Sequence, residues 1–284
     1  MTDTAPDGSE RIWFSARDER GRARIATAAL SIACGNLAVG VAADHPMLDL
    51  GEVGTFDDNG VTGSCLVDFG GRRYLYYTGW TRGISVPFYF YAGCAVSDDG
   101  GRTFVRASRA PILERNAIDP FLTASPMVLV ENGIFRAWYV SCTGWATVAG
   151  TLQHRYHIKY AESDDGIHFR RAGIVAVDFA SPDEYAFGRP HVRKENGRYR
   201  MWFCARGARY ELAYAESHDG IAWERRPAEL QRPAEGWDRE MIAYPYVLER
   251  DASLYLLYNG NGYGQTGIGY AVSRGSGNPS ASAG

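Results

Sequence analysis

The sequence repeats one unit several times, and this repetition constrains the possible folds more than any other feature. Each unit contains an apolar strand, a polar turn, an aromatic strand, a longer loop, a third strand ending in Ala-x-Ser, and, except in the truncated last copy, an Asp-Gly turn. Repeats built from three or four short strands are typical of β-propeller blades, which need neighbours to bury their faces. The third-strand serines recur 66, 54 and 56 residues apart, at Ser97, Ser163, Ser217 and Ser273.

The aromatic strands of the repeats explain a composition that favours short strands over helices. The chain contains 18 Tyr, 12 Phe and 7 Trp residues together with 33 glycines. Four units and the strand pairs of residues 11–43 would make five blades. We therefore expect an all-β fold, with a single five-bladed β-propeller over residues 10–276 that is closed by its N-terminal strands. Residues 1–9 and 277–284 are expected to be flexible termini.

Charge and cysteine content restrict the classes of partner. The formal net charge of -3 argues against a nucleic-acid partner, because such binding depends on Lys and Arg neutralising phosphates. The five cysteines are widely spaced, and no CxxC pair or Cys/His cluster is present. They indicate reduced core thiols, with neither a disulfide framework nor a metal site. No dinucleotide-type or P-loop glycine motif occurs, so no cofactor is expected.

One uncharged stretch, Ile25–Ala43, raises the question of a signal peptide. Gly35 and Asn36 form a turn signal in its middle, and a strand-like segment precedes it. A hairpin therefore explains the stretch better than a signal peptide. We expect a cytoplasmic protein without a membrane partner, and the sequence leaves its oligomeric state open.

Aspartate occupies the same position in four repeats, six residues before a reference residue of the first strand. Two interpretations remain open. Each aspartate caps the turn that enters its blade, or the four form a ring of carboxylates around an axial pocket. In a ring, repulsion and burial would separate their pKa values into acid and base roles. Counting back from Ser64, Ser125, Arg189 and Tyr244 gives Asp58, Asp119, Asp183 and Asp238.

The side chains around these aspartates are typical of a site for a polyhydroxylated ligand. Aromatic rings stack on a sugar ring, while Asn, Asp and Arg bond its hydroxyls. Arg189 and Arg206 also suit a carboxylate or phosphate substituent. His154 is interpreted as a surface histidine. The predicted substrate-binding residues are Asp57, His157, Asp183, Arg189, His191, Arg206, Asp238, Tyr244, Asn259 and Asn261.

With these motifs the chain resembles the five-bladed β-propeller glycoside hydrolases, which include arabinanases, β-xylosidases, invertases and mannoside phosphorylases. Ile118-Asp119-Pro120 is similar to the Arg-Asp-Pro motif of the invertase branch. Gly188-Arg189-Pro190-His191 is similar to the Glu-Gly-Pro-His strand of the arabinanase branch. The motif Tyr258–Gly264 resembles the end of a group of uncharacterised bacterial propeller proteins.

The resemblance implies a carbohydrate-active enzyme, glycosidase-like or glycosyl-transferring, that uses carboxylate acid and base chemistry. The general-acid glutamate of arabinanases falls on Gly188, so the carboxylates would come from upstream positions. Asp58 would be the base or nucleophile, Asp119 the stabiliser of the transition state, and Glu184 or Glu240 the acid. A retaining mechanism places the two carboxyls about 5–5.5 Å apart and an inverting one roughly 6.5–9.5 Å apart.

Two alternatives to this enzyme stay open. Gly188 at the acid position favours a sugar-binding propeller that has lost catalysis. Arg189 and Arg206, if they converge on the pocket, favour a recruited biosynthetic enzyme, a lyase or cyclase, that acts on a sugar nucleotide or a specialised metabolite.

Overall fold

A computed structural model describes residues 1–33, 35–148 and 150–274, which fold almost entirely into β-strands. The strands fall into five consecutive groups. The first group is β1 (Thr2–Thr4), β2 (Glu10–Arg17), β3 (Ala23–Ala33) and β4 (Asn36–Ala42). The second is β5 (Gly60–Phe69), β6 (Arg72–Arg82), β7 (Phe88–Ser97) and β8 (Val105–Arg106). The third is β9 (Thr123–Glu131), β10 (Ile134–Val148), β11 (Thr151–Ser163) and β12 (Val175–Val177).

The fourth and fifth groups complete the described chain. The fourth is β13 (Ala186–Glu195), β14 (Arg198–Arg206), β15 (Tyr210–Ser217) and β16 (Glu224–Arg226). The fifth is β17 (Ala243–Arg250), β18 (Ser253–Asn259) and β19 (Ile268–Arg274), with the single helical turn α1 (Asn261–Gly264) between its last two strands. The predicted all-β class is confirmed. No helix in the described ranges has the length and apolar character needed to cross a membrane.

Consecutive strands within each group pair antiparallel, as short turns require. The first strands of neighbouring groups also contact one another: β5 meets β9, β9 meets β13, and β13 meets β17. This arrangement brings the beginnings of β5, β9, β13 and β17 together. We call this end of the molecule the mouth.

The Asp-Gly turns stabilise the far end of each third strand. Ser163 Oγ accepts the Gly166 N–H at 2.9 Å, and the Asp165 carboxylate accepts the N–H groups of Ile167 and His168 at 2.8 Å. The turns at residues 97–103 and 217–222 use equivalent contacts. These turns are therefore built from side-chain caps, as Ser and Asp commonly provide.

The N-terminal residues belong to the fold. We expected residues 1–9 to be a flexible terminus, but Thr2–Thr4 forms β1 and Met1 is buried with Trp13 and Ile25. Burial of these apolar side chains orders the segment. Residues 277–284 lie outside the described residues. The uncharged stretch Ile25–Ala43 contains most of β3 and all of β4, which pair as a hairpin.

The first group also packs against the last one. Ile12 and Leu30 share an apolar cluster with Leu248 and Leu257. Thr2 Oγ1 and Tyr246 Oη are 3.0 Å apart. Cys65, Cys94, Cys142 and Cys204 are free and buried, whereas Cys34 lies outside the described residues.

Candidate functional site

Four equivalent residues interrupt the first strands near the mouth. The register of β5 shifts at Ser64, and β9, β13 and β17 shift around Ser125, Arg189 and Tyr244. The last three residues have left-handed backbones, with φ of +47°, +44° and +59°. Such conformations cost a non-glycine residue of the order of 1–3 kcal/mol, and they cluster at functional sites. The bulges therefore indicate that the mouth is the candidate functional site.

Asp119 is fully buried in a network that joins the segment before β9 to β10, β11 and the loop that follows β11. Its carboxylate accepts hydrogen bonds from Tyr139 at 2.9 Å and Ser141 at 2.6 Å. Lys159 and Arg171 contact the same carboxylate at 3.0 and 3.1 Å. Burial alone would raise the pKa of Asp119, but the bonds from Ser141 and Lys159 outweigh it and lower that pKa.

Asp57 and Asp238 repeat this arrangement in other groups. Tyr77 donates to Asp57 at 3.0 Å, and Tyr258 donates to Asp238 at 2.9 Å. Arg106 also contacts Asp57, at 2.8 Å. In each case the tyrosine follows its aspartate by twenty residues. Asp57 rather than Asp58 is thus the structural equivalent of Asp119 in the second group, one residue away from the position predicted by counting.

Asp58 remains partly exposed and has no cation within 4 Å among the described residues. It accepts hydrogen bonds from the Gly54 N–H at 3.0 Å and the Asn59 amide at 2.6 Å. Burial would raise its pKa, but these bonds lower it overall. Asp58 is therefore ionised at neutral pH.

The other predicted acids lie in different surroundings. Glu184 is held by Arg225 at 2.6 Å and faces a cleft of about 400 Å³ that also contains Arg209 and Arg232. Asp183 is exposed, and exposed Glu240 lies 3.4 Å from Arg239. No two of the four predicted catalytic carboxylates share a hydrogen-bond partner within the described ranges.

The two predicted binding histidines are buried in the body of the protein. His191 Nε2 donates to the Val247 carbonyl at 2.9 Å, and burial lowers the pKa of His191 to about 3. His157 Nδ1 lies 3.5 Å from Asp178, and its Nε2 has no hydrogen-bond partner in the part of the chain described. Burial also lowers the pKa of His157, so both rings are neutral at pH 7.

Both predicted amides stabilise the loop around α1. Asn259 Nδ2 donates to the Tyr263 carbonyl at 3.0 Å. Asn261 Oδ1 accepts the N–H groups of Glu240 and Met241 at 2.7 and 3.1 Å. These contacts tie the loop to the segment that enters β17 and hold Tyr263 over the mouth.

Arg189, Arg206 and Tyr244 do come together, within a group that we call the arginine–tyrosine cluster. It consists of Arg189, Arg206, Tyr210, Tyr244 and Tyr263. Tyr244 and Tyr263 are stacked with ring centroids 6.3 Å apart, and Arg206 donates to Tyr263 Oη at 3.3 Å. The Arg206 guanidinium also lies over Tyr210, 5.2 Å from its ring centroid.

A second aromatic group adjoins this cluster and was missed by sequence reasoning. His154 stacks on Tyr156 at 4.0 Å and also contacts Phe88 and Trp145. His154 is half-buried among these rings rather than on the open surface, and burial lowers its pKa to about 4. The Tyr156 hydroxyl is buried without a partner in the described structure. The length of the apolar, aromatic hairpin β10–β11 was the signal that could have revealed this group.

The described residues contain no cluster of three His, Cys, Asp or Glu side chains that would hold a metal ion. The arrangement at the mouth consists of aromatic rings, phenol hydroxyls and guanidinium groups. These are suited to stacking on a ring, bonding hydroxyls and holding an anionic substituent.

Comparison with solved structures identifies the fold. The chain matches a glycoside hydrolase with a TM-score of 0.69 at 17% identity, covering 100% of this chain and 89% of the other. A thermostable family-43 glycoside hydrolase gives 0.67 at 13% identity, with coverages of 96% and 94%. The GH32 beta-fructofuranosidase BmSUC1 of Bombyx mori gives 0.63 at 12% identity, with coverages of 95% and 60%. The fold is thus that of propeller-type glycoside hydrolases.

Sequence comparison identifies the relatives. No family model matches the chain. The uncharacterized protein Rv1502 of Mycobacterium tuberculosis strain H37Rv is 39% identical over 264 residues, which cover 92% of this chain and 87% of that protein. MT1551 of strain CDC 1551 matches to the same extent. The chain therefore belongs to the same protein family as Rv1502 and MT1551.

Proposed function

We propose that the protein is a carbohydrate-active enzyme, glycosidase-like or glycosyl-transferring, that acts on a sugar or a glycosylated small molecule at the mouth. We further infer that the five strand groups are the five blades of a closed propeller. The packing of Ile12 and Leu30 against Leu248 and Leu257 supports this closure, because it joins the first group to the last.

The observation that carries the proposal is the group of aromatic and polar side chains at the mouth. Tyr244 and Tyr263 offer stacked faces, and Arg206 lies among them. The orphan hydroxyl of Tyr156 is a further polar group without a protein partner in the described chain. Buried polar groups are normally satisfied, so this hydroxyl is available to a ligand. Glycoside hydrolases with this fold make a sugar the natural ligand class.

Asp58 is the strongest candidate for the catalytic base or nucleophile. Asp119 and Glu184 are each held by cations, whereas Asp58 is partly exposed and bonded only by neutral groups. Its lowered pKa suits a base or nucleophile, which must be ionised, better than an acid. Glu240 is the better of the two acid candidates, because it is exposed and Glu184 is tied to Arg225.

Turnover measurements on the Asp58→Asn variant test this role. The wild-type protein is screened with aryl glycosides, with and without inorganic phosphate, and the variant is measured on every substrate that is turned over. We expect Asp58→Asn to lower kcat by about 10²-fold or more while sugar binding, followed by calorimetry, persists. Asp44→Asn is the matched control, because Asp44 is an exposed carboxylate without an ion pair among the described residues. Normal turnover by Asp58→Asn would remove Asp58 from the mechanism.

A second candidate function is sugar binding without catalysis. The cation partners of Asp119 and Glu184 favour it, because these carboxylates are committed to ion pairs. Gly188 also leaves the first strand of the fourth group without an acid at that position. Saturable binding of sugars in the calorimeter, without turnover of any glycoside in the screen, would favour this function over the enzyme.

A further inference from the structure

Arg189 combines a strained backbone with a side chain that has no ionic partner. It lies at the bulge of β13 with φ of +44° and is half-buried. No carboxylate lies within 4 Å of its guanidinium in the described structure, and it makes no side-chain hydrogen bond there. Its strongest electrostatic neighbours include Tyr244, Cys204 and Cys65, whose pKa values are raised by burial, so that they are neutral at pH 7.

Two other shielded arginines, Arg171 and Arg73, are paired with carboxylates. The Arg171 side chain is 4% exposed and contacts both Glu114 and Asp119. The Arg73 side chain is 14% exposed and contacts Asp3 and Asp68. An arginine stays protonated when it is buried, so its charge needs a partner. Burial lowers the pKa of Arg189, which reflects the missing partner.

Two further guanidinium groups extend the positive charge around Tyr244. Arg189 and Arg17 are the charged groups that act most strongly on the Tyr244 hydroxyl. Arg206 reaches the same ring stack through Tyr263. Neither Arg17 nor Arg206 has a carboxylate within 4 Å among the residues described. The mouth therefore concentrates positive charge on a protein whose net charge is -3.

We propose that the sugar ligand carries an oxyanion, a carboxylate or a phosphate, and that the Arg189 guanidinium binds it with Arg206 as the second cation. This proposal rests on the proposed function, since it specifies the substrate class of the same site. The planar fork of arginine matches both oxyanions, because each offers two oxygens to parallel N–H groups. Tyr244 and Tyr263 would stack on the sugar ring beside it.

Calorimetric titration with matched sugars tests the proposal. The probes are glucose, glucuronate, glucose 6-phosphate and inorganic phosphate, all at low ionic strength, with wild type, Arg189→Gln and Arg209→Gln. Arg209 is the matched control, because it is exposed near the mouth and has no carboxylate partner in the described chain. We expect a charged sugar to bind more tightly than glucose, and Arg189→Gln to weaken that binding about 10-fold to 100-fold. Arg209→Gln should bind like wild type.

The outcomes separate the two oxyanions and the two proposals. Selective binding of glucuronate assigns a carboxylate, and selective binding of glucose 6-phosphate assigns a phosphate. Equal affinity for charged sugars and glucose, unchanged affinity in Arg189→Gln, or no binding of any charged probe would overturn the oxyanion site. If the oxyanion site were overturned but the protein turned over neutral aryl glycosides, the proposed function would remain valid. Thermal unfolding of Arg189→Gln at or above the wild-type temperature verifies that the variant is folded.

Discussion

At the scale of single residues, the partners of a carboxylate distinguish a structural role from a chemical one. Asp119 and Asp58 occupy similar positions ahead of a first strand. Asp119 is fully buried with two cations, whereas Asp58 is partly exposed with neutral donors. Of these two carboxylates, Asp58 is the one whose charge is not neutralised by a cation within the described structure.

The first prediction concerns Asp119. Replacing Asp119 by Asn leaves Lys159 without a carboxylate partner in the described structure and leaves Arg171 with Glu114 alone, so we expect the free energy of unfolding to fall by about 3–5 kcal/mol. Urea denaturation of Asp119→Asn measures the loss. Asp44→Asn, at an exposed position, should match wild type. An Asp119→Asn protein as stable as wild type would mean that the network does not hold the group together.

The second prediction concerns pH. The pKa of His191 is about 3 in the folded protein and about 6.5 in the unfolded chain. Below pH 6.5 the unfolded chain therefore binds a proton at His191, whereas the folded protein keeps this ring neutral. The stability that the neutral His191 ring contributes is complete above pH 6.5 and declines as the pH falls toward 3. We expect His191 to account for a loss of about 3 kcal/mol between pH 6.5 and 4. Unfolding curves of His191→Gln across this range should be flatter by that amount, and an unchanged slope would refute the assignment.

At the scale of elements, three of the strand groups use the same hydrogen bond to hold the segment that precedes their first strand. Tyr77, Tyr139 and Tyr258 lie on second strands, and each donates to the aspartate that precedes its first strand. The fourth group departs from this rule. Phe203 occupies the tyrosine position there, and the Glu184–Arg225 ion pair joins the first and last strands instead.

The third prediction tests this strand anchor. We expect Tyr139→Phe to destabilise the protein by about 1–3 kcal/mol, because it removes a hydrogen bond from a buried carboxylate. Tyr255→Phe provides the control, since Tyr255 is equally buried but its hydroxyl bonds no carboxylate in the described structure. Denaturant midpoints of the two variants give the comparison. Equal losses of stability in the two variants would show that the hydrogen bond from Tyr139 to Asp119 contributes no additional stability.

At the scale of the whole molecule, the N-terminal segment joins distant parts of the chain. Met1 packs with Trp13 and Ile25, and Asp3 accepts hydrogen bonds from Arg11, Arg73 and Trp13. Arg73 belongs to β6, in the next strand group. The segment therefore contributes to the contact between the first two groups.

The fourth prediction follows from this position. Deleting residues 1–9 removes Met1 from its apolar cluster, leaves Arg11 without a carboxylate partner in the described structure and leaves Arg73 with Asp68 alone, so we expect a stability loss of at least about 3 kcal/mol. For a domain of this size the melting temperature should fall by roughly 6–12 °C. Differential scanning calorimetry of the truncated and full chains measures the shift. An unchanged melting temperature would restore the expectation that these residues are a flexible terminus.

Local pattern was sufficient to predict several features. The Ala-x-Ser and Asp-Gly repeats predicted the all-β class, and the apolar stretch with Gly35-Asn36 predicted a hairpin. These features depend on strand periodicity and turn chemistry, which act between residues close in sequence. Pairing Arg189 with Arg206 and Tyr244 in one site was also possible, because equivalent positions in repeats meet at equivalent places.

Only the tertiary structure decided which of these residues are free to act. Asp119 meets Lys159 and Arg171 forty and fifty-two residues later, and nothing local indicates that contact. A one-residue difference in the connection before β5 gives the buried position to Asp57 and leaves Asp58 accessible. His154 becomes half-buried because aromatic rings distant in sequence pack against it. The sequence by itself therefore determined the strands and the residue types at the mouth. Long-range packing decided which charges are neutralised, and it left Arg189 without a carboxylate partner among the described residues.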